Sequence, residues 1–108
     1  DHEHRFGVHA GELETSAMLA LKPHAVNMSK AENFKSSSED RAQSFPILGN
    51  GRSAKLAWQM QDYNPAGAAG NAAAATAQKG RIVLDAAGRS LAQLLLEIDR
   101  LPADTLRS

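Results

Sequence analysis

Apolar residues recur at helical spacing in two stretches of this chain and alternate in a third. Leu13, Ala17, Met18 and Leu21 share one face of a helical winding and predict a helix from Glu12 that Pro23 ends or kinks. A longer stripe of Leu84, Ala87, Leu91, Leu94, Leu95 and Ile98 predicts a helix to about Arg100, stopped by Pro102. Between them, Leu56, Trp58 and Met60 lie on one side of residues 55–61, which is a strand pattern.

The polar punctuation fills in the rest. Asp1 to Arg5 reads as a loop, and Phe6 to Ala10 as a strand end leading into a turn at Gly11. Ser29 followed by Glu32 has capping-box spacing and predicts a short helix. Residues 33–53 read as a loop excursion, with a solvated run at Ser36-Ser37-Ser38-Glu39-Asp40 and a turn at Gly49-Asn50-Gly51. Asn64 to Gly70 is turn-rich. Asn71 fits an N-cap ahead of Ala72 to Ala75, the strongest helix formers, and Gly80 is expected to interrupt or end that first helix.

Composition narrows the function. At 108 residues there is room for one small domain, and residues 1–108 read as a single segment. Twelve Lys and Arg balance twelve Asp and Glu, which gives no electrostatic ground for nucleic acid or an anionic membrane as partner. The lack of cysteine excludes a disulfide scaffold, a thiolate metal site and a thiol nucleophile. No apolar run has the length of a bilayer span, and a cytoplasmic location is expected. Three Phe, one Tyr and one Trp are few core-forming aromatics, and the chain starts at Asp1. Packing on another chain or on an N-terminal half is therefore expected.

The densest chemistry lies in His9-Ala10-Gly11-Glu12-Leu13-Glu14-Thr15-Ser16. A histidine, two carboxylates and two hydroxyls surround a glycine turn just ahead of a helix. Such a set suits a divalent metal or proton transfer, and makes His9 and Glu12 candidate catalytic groups. The same acids also suit a first helical turn for electrostatic reasons alone. Elsewhere, Asp62 stands at the end of the expected strand, where ligands of α/β folds often bind. Arg5 reads as an exposed loop arginine, with contact to an anionic group of a substrate as the alternative. His2 and His4 share a side of an extended segment but have no adjacent third ligand. Residues 67–70 lack the glycine spacing of a phosphate loop.

The octapeptide, continued by Ala17-Met18-Leu19-Ala20-Leu21 and Pro23, resembles the C-terminal signature of the creatininase family, H-[AG]-G-x-x-E-T-S-x-M-L-A-L-x-P. Gln61 to Gly67, Gly70-Asn71, Ala75-Thr76-Ala77 and Lys79-Gly80 are similar to the family's stretch before its last helix. The resemblance implies the C-terminal part of a three-layer α/β/α sandwich, completed by a missing or separate N-terminal part. It implies metal-dependent hydrolysis of amide C–N bonds in cyclic amides, imides or formamides. The expected cofactors are divalent ions, zinc with manganese or iron, held mostly by ligands from the N-terminal half. His9 matches the family's catalytic histidine, and Glu14 matches the Glu of E-T-S, expected to bind the metal or to hold one of its ligands. A homo-oligomer, a hexamer by resemblance, is the expected assembly, with a small molecule as substrate.

Departures bear on the substrate. Creatinine-hydrolysing members carry a Trp-Asp pair and a Glu ahead of the histidine, where this chain has Arg5, Phe6 and Val8. Glu12 is apolar in those members. Creatinine itself is therefore a poor expectation. The rival reading from another class is a diverged, non-catalytic assembly subunit that works through its helices.

Overall fold

The structure, a computed structural model, describes residues 2–49, 51 and 58–105. Helix α2 (Glu12–Leu21) forms where its apolar spacing predicts. Glu12 and Glu14 occupy its first turn, at the positive end of the helix dipole. Its N-cap is Gly11, which has no side chain to accept the first amides. The Glu12 N–H instead donates to Glu3 Oε1 at 2.6 Å. The Lys22 N–H closes the last turn on the Met18 carbonyl at 2.7 Å, and Pro23 then opens a 3-10 turn, Pro23–Ala25.

The second long helix differs from expectation at its start. Helix α5 (Ala77–Asp99) runs unbroken through Gly80 and is capped by Thr76, whose side chain accepts the Lys79 N–H at 3.2 Å. Gly80 marks a helix crossing instead of a helix end. A Cβ there would stand 1.9 Å from the Ser16 carbonyl oxygen of α2. Ser16 is fully buried at this crossing, and its hydroxyl accepts the Thr76 N–H at 3.1 Å. The alanine run makes only a 3-10 turn, Ala72–Ala74. Asn71 belongs to a strand, and the Ala73 N–H donates to the Glu32 carbonyl. Long-range pairing overrides helix propensity here.

The sheet is small. Strand β1 (Asn33–Phe34) pairs antiparallel with β2 (Gly70–Asn71), Asn33 opposite Asn71 and Phe34 opposite Gly70. His9 and Ala69 add an isolated bridge. The Val8 and His9 N–H groups share the Ala69 carbonyl at 2.8 and 3.2 Å, and the Ala69 N–H returns to the His9 carbonyl at 2.9 Å.

Other expectations are corrected as well. Residues His2–Phe6 form a short helix, α1, in place of the polar loop. Asn27, not Ser29, is the capping side chain near Met28–Lys30. It accepts the Ser29 N–H at 3.1 Å, and the element is a single 3-10 turn. Inside the supposed excursion, Ser37–Ser44 form helix α3, capped by Ser36, whose Oγ accepts the Ser38 N–H at 3.2 Å. The expected strand at 55–61 lies partly outside the described residues, in 52–57. Its second half leads into helix α4 (Met60–Tyr63), where the Gln59 N–H donates to Asp62 Oδ2 at 3.1 Å.

Burial is concentrated in small side chains. The buried apolar residues among those described are Ala68, Ala69, Ala72 and Ala75. Leu91, Leu94, Leu95, Leu96, Ile98 and Leu101 on and after α5 are each at least half exposed. The radius of gyration, 17.7 Å, exceeds the roughly 13 Å of a compact 100-residue domain. No described helix is long and apolar enough to cross a membrane.

Candidate active site

The site is assembled where three segments meet: the turn 7–11, the first turn of α2, and residues 69–71. The doubly bonded Ala69 carbonyl holds the backbone of Val8 and His9. Ala10 then takes a left-handed conformation, φ 55°, which reverses the chain into Gly11. Its carbonyl accepts the Thr15 hydroxyl at 3.3 Å.

This turn brings His9 and Glu14 together. His9 Nδ1 lies 3.6 Å from Glu14 Oε1, with both side chains more than half exposed. That separation is an electrostatic contact, somewhat longer than the N–H···O hydrogen-bond range of about 2.7–3.2 Å. Beside the pair is a cleft of about 250 Å³, lined by Glu3, His4, Gly7, Val8, Gly11, Leu13 and Glu14. Its wall mixes carboxylates with apolar side chains.

The other candidates sit differently. Glu12 turns to α5, where its carboxylate pairs with the Lys79 ammonium. Lys79 also donates to the Ala74 carbonyl at 2.8 Å, so one ammonium ties α2 to the start of α5. The Arg5 guanidinium stacks over the Phe6 ring at 4.8 Å and is exposed. The Asp62 carboxylate caps α4 through Gln59. Neither Arg5 nor Asp62 lines the cleft described above. His2 pairs with Glu39 at 3.4 Å and does not line the cleft.

Imidazole and carboxylate are suitable divalent-metal donors, but their number here is small. Among the described residues no group of three or more His, Asp or Glu stands ready to hold an ion. A closed tetrahedral site needs four ligands, and a catalytic one three. Glu14 fits as one donor of such a centre, not as a centre by itself.

Two contributors escaped sequence reasoning. Glu3 reads as a loop acid, yet its carboxylate accepts backbone N–H groups from both Glu12 and Asn71. No local spacing signals a contact between residues 3 and 71. Lys79 was visible within the A-T-A-x-K-G stretch, but its tie to Glu12 spans 67 residues.

Known proteins share this fold. A solved structure named for creatinine amidohydrolase, from Bacteroides fragilis, superposes with a TM-score of 0.70 at 28% identity. The superposition covers 91% of this chain and 37% of that one, so these helices and their small sheet are a partial α/β domain. No curated protein matches the chain at comparable stringency. The family model for creatinine amidohydrolase matches residues 1–95. The chain belongs to the creatininase family.

Proposed function

We propose that this chain supplies the histidine–carboxylate edge of the active site of a metal-dependent hydrolase of amide C–N bonds. The substrate class is cyclic amides, imides or formamides. The observation that carries the reading is the His9–Glu14 pair beside the cleft at the start of α2.

The chemistry follows from the two side chains. Amide nitrogen leaves poorly unless it is protonated. An imidazolium gives up a proton near neutral pH and is the natural donor. Glu14, 3.6 Å from Nδ1, stabilises the positive charge on the ring and orients it. With Nδ1 turned to Glu14, Nε2 is the nitrogen left for substrate. Glu12 is already neutralised by Lys79, so its part is to anchor α5 on α2. Arg5 and Asp62 are proposed as outer substrate contacts, Arg5 for an anionic group.

Glu14 would also hold a divalent ion, zinc with manganese or iron, together with ligands from a companion segment. Such an ion, when bound, activates water and polarises the amide oxygen. The half-exposed leucines of α5 support a companion, since an apolar helix face of that length is normally covered. The assembled unit is expected to be a cytoplasmic homo-oligomer, a hexamer by family resemblance.

The test is an amidase assay on the native full-length protein against lactams, imides and formamides. Activity should disappear with a chelator and return with zinc or manganese. A metal-loaded protein that turns over none of these compounds would favour the assembly-subunit reading.

A further inference from the structure

The three segments that build the site converge on one side chain. Glu3 Oε1 accepts the Glu12 N–H at 2.6 Å, and Oε2 accepts the Asn71 N–H at 3.0 Å. Its carboxyl is packed among three glycines. A Cβ on Gly11 would lie 2.1 Å from Oε1, one on Gly70 2.8 Å from the same oxygen, and one on Gly7 3.0 Å from it. Gly7 and Gly11 bracket the turn that carries His9. Glu12 opens the helix that carries Glu14, and Gly70 and Asn71 follow the residue that bonds His9. Glu3 also lines the cleft.

We propose that Glu3 is the positioning residue of the site: its carboxylate, bridging the Glu12 and Asn71 amides inside a glycine cradle, sets His9 against Glu14. This rests on the amidohydrolase reading for its catalytic consequence, but not for its geometry. The chemistry explains the choice of residue. Two backbone donors approach one flat group from different directions, and an ionised carboxylate offers acceptors on both oxygens. Glutamine has the same shape but one acceptor, so one of the two N–H groups would face an NH₂ donor. Aspartate keeps both acceptors but withdraws them by one methylene. The negative charge also sits at the amino end of α2, where the helix dipole favours it. Gly11 is needed because the carboxyl occupies the space of its side chain, whereas a Cβ on Gly7 or Gly70 would first meet the Glu3 carbonyl oxygen or the Gly11 Cα, each at 2.6 Å, with the carboxyl next.

The role differs from simple stabilisation. A group that only holds the fold lowers the melting temperature when lost, and leaves turnover per folded molecule unchanged. A positioning group leaves substrate affinity largely intact and lowers kcat, because the pair it aligns acts in the transition state.

The experiment uses the native full-length protein with Glu3→Gln and, as the milder change, Glu3→Asp. Turnover of the amide substrate is measured with metal content and melting temperature on the same preparations. Both variants should lower kcat by about 10- to 100-fold, the usual cost of losing a group that orients an active-site residue. KM and bound metal should stay near wild type. A variant that melts earlier yet keeps wild-type kcat per folded molecule overturns the positioning role. Backbone hydrogen exchange decides the geometry independently of any activity. At least one of the Glu12 and Asn71 amides should exchange about tenfold faster or more in Glu3→Gln, with the α5 amides unaltered. Unchanged exchange at both sites overturns the bridge. A wild-type protein without amidase activity, but with the exchange result intact, refutes the amidohydrolase reading and not the bridge.

Discussion

Gly80 of α5 rests against the carbonyl of Ser16 in α2 so closely that a methyl group would stand 1.9 Å from its oxygen. This contact sets how deeply the long helix sits on the helix that carries Glu14. It gives a prediction whose sign is diagnostic. In an isolated helix, glycine to alanine gains about 1 kcal/mol. Here Gly80→Ala must push the helices apart, and overpacking costs about 1–3 kcal/mol. Chemical denaturation should show net destabilisation, and a rise in stability would contradict the crossing.

Ser16 and Thr76 separate two kinds of hydrogen bond. Thr76→Ala removes an N-cap, which costs about 1 kcal/mol. Ser16→Ala removes the acceptor of the Thr76 N–H inside the helix contact, which costs about 1–3 kcal/mol for an unsatisfied donor. Ser16→Ala should therefore be the more harmful of the two in denaturation midpoints. The reverse order would mean that water reaches the Thr76 amide.

His9 is exposed, so truncating it leaves little cavity. His9→Ala should keep the melting temperature and the bound metal while lowering turnover by about 10² to 10⁴-fold, the range for a lost general acid–base group. The acid–base limb of the wild-type pH–rate profile should vanish in the variant. Loss of stability with catalysis per folded molecule intact would make His9 a turn residue.

Glu14→Gln tests the other half of the pair. Charge at the proposed metal edge is removed with shape conserved. Metal content or turnover should fall by at least about tenfold. Wild-type metal stoichiometry combined with wild-type turnover would remove Glu14 from the site.

The periodic helices were legible in sequence. Leu13 to Leu21 and Leu84 to Ile98 appear where their spacing puts them, because helix spacing is a local property. His9 and Glu14 were legible for the same reason, being five residues apart at a turn and a helix start. What escaped depends on partners far along the chain. Ala72 to Ala75 are the best helix formers available, yet the bonds of Ala73 to Glu32 and of β2 to β1 hold them in a turn. Gly80 reads as a break until Ser16 is opposite it. Glu3 reads as a solvated acid until the amides of residues 12 and 71 converge on it. The α5 stripe is legible as a helix face, and Leu91, Leu94, Leu95 and Ile98 on it are each at least half exposed in this chain.

Ala10, with φ at 55°, is an L-residue in a region that suits mirror-image residues better. Its conformation costs about 1–3 kcal/mol for a non-glycine residue, offset by the bonds around it. A D-alanine introduced there by chemical synthesis would adopt the same turn without that cost. The side-chain methyl would still discourage the extended alternatives open to glycine. Chirality at this one atom is thus a handle on the turn that bears His9. Inverting it should stabilise the turn with no change in composition, whereas glycine would relieve the strain and let the imidazole wander.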